Sequence, residues 1–325
     1  MTSYRAAGVD LEGADRHVAQ IAKPVTATWD ESVVGGFGGF AAGVALPPGL
    51  SDPVLMLTTD GVGTKLELAR QAGRWEGVGF DLVAMVVDDL AAAGARPLGV
   101  VDYMAVGALR PERDTVIVES IAEACRLAGC PLLGGETAEH PGVMAPDQVD
   151  LAATALGVVE RDAVLGPERV AEGDVIIGLH SPNLRSNGFS LVRAIVSESE
   201  LAEQWGGSTM AEVLLAPSLI YSPAVLTATA TGSVHAAAHI TGGGLEANLR
   251  RAIPAGLEAE IDWGAWEVPA VFSLLAERGG VSEEEMRRTF NLGIGFCLVA
   301  GESDAPAVCG RVGHRARIIG QVTAG

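Results

Sequence analysis

Lysine is almost missing from this chain: of 22 basic residues only Lys23 and Lys65 are lysines, and the rest are arginines. Basic residues are themselves outnumbered by 41 acidic ones, for a formal charge of −19. That balance excludes a general nucleic-acid binder, which needs a basic footprint. It does not exclude an anionic substrate, because a metal ion and local dipoles can reverse the sign inside one pocket. Charged residues are scarce too, at 19% against 48% apolar, which argues for a sizeable core and against disorder. No apolar run approaches the roughly 18 residues that span a bilayer. The opening Met1-Thr2-Ser3-Tyr4-Arg5 has no apolar signal core, so the chain reads as soluble and cytoplasmic. Cysteine is sparse: Cys125, Cys130, Cys297 and Cys309 show no metal-type spacing and read as reduced thiols, not a disulfide framework.

Glycine is abundant, with 42 in 325 residues, about twice the usual share. The glycines cluster at Gly35-Gly36, Gly38-Gly39, Gly134-Gly135 and Gly242-Gly243-Gly244, which suits tight turns or backbone closing on a ligand. The length suggests two domains. Strand-like and helix-like segments alternate from Val54 to Val159, with Val54–Leu57 read as a short buried strand, helices over Phe80–Ala93 and Glu112–Ala128, and a strand from Arg96 to Tyr103. Gly166-Pro167 marks a boundary, giving domains 1–165 and 166–325. The second unit offers strands at Asp174–Leu179, Val234–Ile240, Ile294–Ala300 and Ala316–Val322. Helices are expected from Leu191 and Leu245. Both units read as α/β.

Asp60-Gly61-Val62-Gly63-Thr64-Lys65 follows a strand and precedes a helix-compatible run. It is neither a Walker A loop nor a dinucleotide fingerprint. A carboxylate for magnesium, glycines that let amides approach oxygens and a neutralising lysine fit phosphate chemistry; an ordinary strand-to-helix turn fits as well. The rarity of lysine weighs towards chemistry at Lys65, because a flexible ammonium differs from an arginine fork in shape and hydration.

The helix at Phe80 carries Asp81 and Asp88 seven residues apart, on one face, with Asp89 adjacent. Acids in so apolar a segment, near the negative end of a helix dipole, invite a cation. Glu136 follows Gly134-Gly135 after another strand, and ligands in open α/β sheets sit beyond strand ends. Asp60, Asp88, Asp89 and Glu136 are therefore the candidate magnesium ligands. In the second half, Ser186-Asn187-Gly188 and Thr241-Gly242-Gly243 precede helices, whose free amides bind anions; capping by Ser190 and Thr241 explains them equally. His239 is a candidate contact or a satisfied core histidine. His17, His140, His180 and His314 show no partner spacing.

Several of these segments, taken in order, resemble phosphoribosylformylglycinamidine cyclo-ligase, the aminoimidazole ribonucleotide synthetase family. They are Gly35-Gly36-Phe37-Gly38-Gly39-Phe40, Asp60–Lys65, Phe80–Met85, Gly134–Gly142, Ser186-Asn187-Gly188 and His239–Gly244. The resemblance covers nearly the whole chain. It implies an α/β (α+β) fold of two α/β domains, the N-terminal sheet pairing with its dimer mate to form a barrel and the C-terminal domain an α/β sandwich. It implies ATP and Mg2+, with K+ left open, and a homodimer that binds no nucleic acid or membrane. The reaction would be ATP-dependent ring closure of formylglycinamidine ribonucleotide in purine synthesis.

Carried onto this chain, Lys65, Asp60 and His239 would be catalytic. Gly36, Gly38, Gly39, Gly61, Gly63, Thr64, Asp81 and Lys23 would bind nucleotide; Arg185, Ser186, Asn187, Gly188, Thr241, Gly242 and Gly243 would bind substrate phosphate. Two departures stand out: Asp88-Asp89 where the family often has Asn-Asp, and Arg185 where a histidine is common. Formylglycinamidine ribonucleotide synthetase and selenophosphate synthetase, which use the same ATP fold, are the nearest rivals; the first is normally much longer or works with a separate glutaminase, and Gly35–Phe40 lacks the reactive cysteine of the second. A non-catalytic nucleotide sensor would leave the acids and Lys65 unexplained.

Overall fold

The computed structural model describes residues 11–325, so the Met1–Arg5 segment lies outside the described residues. Helix α1 (Leu11–Thr26) and a small ladder of β1 (Val33–Val34) with β2 (Gly43–Val44) precede the first main sheet. There follow β3 (Pro53–Gly61), α2 (Lys65–Ala72), α3 (Val78–Ala92) and β4 (Arg96–Val106). Helix α4 (Pro111–Ala128), β5 (Leu132–Glu139) and β6 (Val149–Glu160) complete this half. Helix α4 begins with Pro111 in its first turn and stops at Gly129, whose left-handed φ of 72° lets its N–H return to the last-turn carbonyls.

The sheet order is β3-β6-β4-β5, and only β4 and β5 run parallel, joined across α4. The expectation of strand-end crevices therefore applies to one βαβ unit and not to the whole sheet. Asp60 and Glu136 lie within strands rather than beyond their ends.

Helices cover one face of this sheet. The other is bare: Leu55, Leu57, Val101 and Tyr103 are 54%, 72%, 40% and 43% exposed. The segment expected as a buried strand at Val54–Leu57 is thus an edge strand with alternate residues outward, because among the described residues no element packs over it. In the register, Leu57 faces Leu156 and Thr59 faces Thr154, itself opposite Val101 on β4.

Helix α3 has 12 of its 15 residues buried. A helix apolar on every side belongs inside a core, and α3 lies against β3, β6 and α4 of the first half and against the second half as well. Burying Leu82, Val83, Val86, Val87 and Leu90 contributes roughly 1.5–3 kcal/mol each. Gly79 permits the close crossing with α4, since a Cβ there would sit 2.2 Å from the Ile121 nitrogen.

The second half holds an antiparallel sheet ordered β10-β12-β7-β13-β11. Its strands are β7 (Val175–His180), β10 (Val234–His239), β11 (Leu257–Ile261), β12 (Ile294–Ala300) and β13 (Arg317–Ala324). Between β7 and β10 lie α5 (Phe189–Ile195), the β8–β9 ladder (Gln204–Trp205, Ser208–Thr209), α6 (Met210–Leu214) and α7 (Ser222–Thr229). The remaining helices are α8 (Gly244–Ala252), α9 (Ala270–Gly279), α10 (Glu283–Thr289) and α11 (Ala305–Val312). Alternation along β7 sends Ile177 and Leu179 towards Val225 of α7 and Val308 of α11, and Ile176 towards Leu245 and Leu249 of α8. The core of the first half continues through Leu184, Phe189, Met210, Phe272 and Phe290. The two halves therefore share one apolar seam, and the candidate site lies along it.

Candidate active site

Two acids of α3 meet the protein's own cations inside that seam. Lys65 and Asp81 are both fully buried, with Nζ 2.7 Å from Oδ2. Lys65 also donates to the carbonyls of Arg185 (2.9 Å) and Ala216 (3.0 Å), which uses all three of its donors. Burial pulls the ammonium below its ordinary value against the attraction of Asp81, and burial likewise pushes Asp81 up. Ser218 completes Asp81 through its backbone N–H and hydroxyl.

One turn-pair along α3, Arg185 donates to Asp88 at 2.8 Å, both side chains inaccessible. The other Asp88 oxygen accepts the backbone N–H groups of Tyr221 and Ser222, each at 2.9 Å. The cation that this apolar helix invited is thus Lys65 at one acid and Arg185 at the other. Lys65, Asp81, Arg185 and Asp88, all expected at ligands, thus pair with one another across the seam, while Arg185 Nε is left without a hydrogen-bond partner.

Asp89, next in sequence, turns the opposite way. It is 38% exposed, accepts Thr58 Oγ1 at 3.1 Å, and lies 2.9 Å from Nδ1 of His239. Although burial would raise its carboxyl, those hydrogen bonds hold it below the ordinary carboxylate range. Nε2 of the buried His239 lies 3.0 Å from Nη2 of Arg185.

Motifs from both halves meet beside this cluster. Thr64 and Ser190 hydroxyls are 3.2 Å apart, and a Cβ on Gly242 would lie 3.7 Å from Asn187 Oδ1. Helices α2 and α8 begin here at Thr64 and Gly243, neither with a side-chain cap. The capping explanation for Ser190 and Thr241 is not realised: Ser190 pairs with Thr64, and Thr241 bonds Asn248. Ser186 Oγ and Asn187 Nδ2 are buried without a hydrogen-bond partner, the state expected of groups that await a ligand. Gly63 takes a left-handed φ of 72°, which explains a glycine in this turn by backbone geometry alone.

A second cavity, of about 580 Å³, opens under the glycine-rich loop. Gly36, Gly38, Gly39, Asp102, Gly135 and Glu136 are among its lining residues. A Cβ on Gly135 would stand 2.2 Å from Asp102 Oδ1, so only glycine admits that carboxyl. Burial pushes Asp102 up to about 7. Sequence reasoning passed over Asp102, whose one signal was an acid inside an apolar strand. Lys23 is exposed on α1, a wall of this cavity, but does not line it.

The candidate metal acids do not converge within one chain. Asp60 and Glu136 sit on β3 and β5, separated by β6 and β4, which at strand spacing is on the order of 14 Å. Among the described residues no group of three or more His, Cys, Asp or Glu side chains is placed to hold a metal. Cys125, Cys130, Cys297 and Cys309 are free thiols, and no described helix is long and apolar enough to cross a membrane.

Solved structures share this fold. A hydrogenase maturation protein HypE in complex with ATP superposes with a TM-score of 0.69 over 98% of this chain and 88% of its own, at 18% identity. Thiamine-monophosphate kinase from Stenotrophomonas maltophilia K279a gives 0.67 over 98% and 95%, at 19% identity. The family models for AIR synthase related proteins match here too, the N-terminal domain at residues 41–159 and the C-terminal domain at 171–325. Fold and site thus define an AIR-synthase-related protein. Phosphoribosylformylglycinamidine cyclo-ligase from Sorangium cellulosum (strain So ce56) is 46% identical over 98% of this chain and 95% of its own length. That of Synechococcus sp. (strain CC9311) is 45% identical over 99% and 95%. This chain belongs to the phosphoribosylformylglycinamidine cyclo-ligase family.

Proposed function

We propose that this protein closes the imidazole ring of aminoimidazole ribonucleotide from formylglycinamidine ribonucleotide, converting ATP to ADP and phosphate, as a step of purine synthesis in the cytoplasm. The observation that carries this reading is 46% identity to a named cyclo-ligase along 98% of the chain. The formamide oxygen attacks the γ-phosphorus, and the bond to ADP breaks. The amidine nitrogen then attacks the activated carbon, and phosphate departs with the former formamide oxygen. Such chemistry asks the protein to place two substrates and neutralise charge.

The cavity under the glycine-rich loop suits the nucleotide, with Gly36, Gly38 and Gly39 allowing close backbone approach and Lys23 on the adjoining helix. Asp60, Gly61, Gly63 and Thr64 suit its phosphate end. Ser186, Asn187 and Gly188, with Thr241, Gly242 and Gly243, suit the ribose phosphate, as their unpartnered polar atoms and uncapped helix starts indicate. Magnesium keeps most of its coordination for water and phosphate oxygens, so it needs few protein ligands. The solvent-facing carboxylates Asp60 and Glu136, too far apart to share an ion, would each hold one, and such ions would neutralise triphosphate charge.

The bare face around Leu57 and Tyr103 suits pairing with a second copy, whose sheet would close the barrel and form a homodimer. Incubating the protein with formylglycinamidine ribonucleotide, ATP and magnesium should release ADP and aminoimidazole ribonucleotide in equal amounts. ADP release that ignores the amidine substrate would contradict the reading.

A further inference from the structure

Three strands of the second sheet end side by side at a basic pocket. His180 closes β7, Ile294 opens β12 and Arg317 opens β13, and all three line a cavity of about 300 Å³. Arg315 and Glu267 line it too, with Trp266 and Pro269 as apolar wall. None of these residues lines the cavity under the glycine-rich loop.

Unpaired cations are out of place in this chain, where 41 acidic residues outnumber 22 basic ones. Yet among the described residues no carboxylate forms an ion pair with Arg315 or Arg317, and both are exposed. Arg317 donates from Nη1 to the Ala265 carbonyl at 3.1 Å, which holds its guanidinium at the pocket with most of its five donors free. Arg315 has no hydrogen-bond partner among the described residues. Burial, then the charges of Arg315 and Arg317, hold the His180 imidazole below its ordinary value, so all three groups share one electropositive space.

The turn that brings Arg315 here is strained. His314 and Arg315 are successive left-handed residues, with φ of 46° and 48°. Neither is a glycine, so the conformation costs energy and persists only where the surroundings impose it. The His180 N–H donates to the His314 carbonyl at 3.0 Å, and the Ala316 N–H to the Gly313 carbonyl at 2.8 Å. The His314 ring meets Tyr221 edge-on, with centroids 5.2 Å apart. The register also shifts between Ile294 and Phe296 and between Ile318 and Gly320, and such bulges re-aim the side chains beside them.

Two free guanidiniums favour a phosphate group, which they bind through paired N–H donors. Glu267 disfavours a bare phosphate ion but accepts hydroxyl groups, and the Trp266 and Pro269 surfaces suit the C–H faces of a small ring. A sugar phosphate meets all three conditions.

We propose that this pocket is a binding site for a sugar phosphate, with the phosphate on Arg315 and Arg317 and sugar hydroxyls on Glu267. The site stands whether or not the ring-closing reaction above is correct.

The test uses the full chain with 15N-labelled histidine and ribose 5-phosphate as the probe. The His180 signals, identified by their loss in His180→Asn, should move saturably. The pH at which His180 takes up its second ring proton should rise, because a bound dianion favours the imidazolium. Arg315→Ala and Arg317→Ala should each weaken binding about ten-fold or more, the effect of losing a hydrogen bond to a charged group. Inorganic phosphate should bind about ten-fold more weakly than ribose 5-phosphate, and Glu267→Gln should narrow that gap. His180 signals that ribose 5-phosphate leaves unmoved would overturn the site. So would a shift that survives joint replacement of Arg315 and Arg317 by alanine at an unchanged melting temperature. Equal saturation by inorganic phosphate would reduce the pocket to an adventitious anion site and overturn the sugar phosphate.

Discussion

Lys65 and Asp81 face each other at 2.7 Å in the seam between the two halves, both inaccessible to solvent. Removing one partner of such a pair strands a buried charge. We expect Lys65→Met to lose about 3–5 kcal/mol of stability in chemical denaturation. Lys65→Met combined with Asp81→Asn should regain much of that loss, because no unpaired charge remains. A Lys65→Met variant of wild-type stability would contradict a structural role for this lysine.

Asp102 makes stability depend on pH. Its carboxyl is raised from 3.8 to about 7 by burial, so between those values the folded protein keeps a proton that the unfolded chain releases. The contribution is full below about pH 4 and is lost as pH rises through about 7. Asp102→Asn stays neutral, so its melting temperature should gain on that of the wild type from about pH 5 to about pH 8. Parallel melting curves across that range would exclude the effect.

Gly79→Ala tests the helix crossing. The added Cβ would stand 2.2 Å from the Ile121 nitrogen and 2.3 Å from the Ser120 carbonyl carbon, and backbone cannot yield as a side chain does. The expected cost is about 3 kcal/mol. A change under about 0.5 kcal/mol, typical of a surface substitution, would show that α3 and α4 separate easily.

The bare sheet face supplies a prediction about assembly. Leu57→Asp places a charge at its most exposed apolar position and should turn a wild-type dimer into a monomer in sedimentation equilibrium. An unchanged mass would mean that copies of this chain do not pair through this face.

Much of this fold was legible because it is written locally. The α4 helix has its apolar stripe, its opening Pro111 and its closing Gly129, and the observed element spans Pro111–Ala128. Helix α3 was legible as well, but the fate of its acids was not. The partners of Asp81 and Asp88 are Lys65 and Arg185, the second 97 positions from Asp88. Nothing in local spacing reveals such a meeting, so these four residues read as ligand-binding with no sign that they pair with one another. The bare face of β3 was hidden for a different reason. A strand with one apolar face left open and one covered by its own helices carry the same apolar residues. Conversely, Ser186-Asn187 was read as a place for a ligand, and the structure leaves Ser186 Oγ and Asn187 Nδ2 unpartnered.

The central claim is that ATP phosphorylates the formamide oxygen before the ring closes. Formylglycinamidine ribonucleotide carrying 18O in the formyl group tests it in a single turnover. The label should appear in the released inorganic phosphate, one atom per molecule of aminoimidazole ribonucleotide formed. Ring closure with the label recovered in water and unlabelled phosphate would contradict the account.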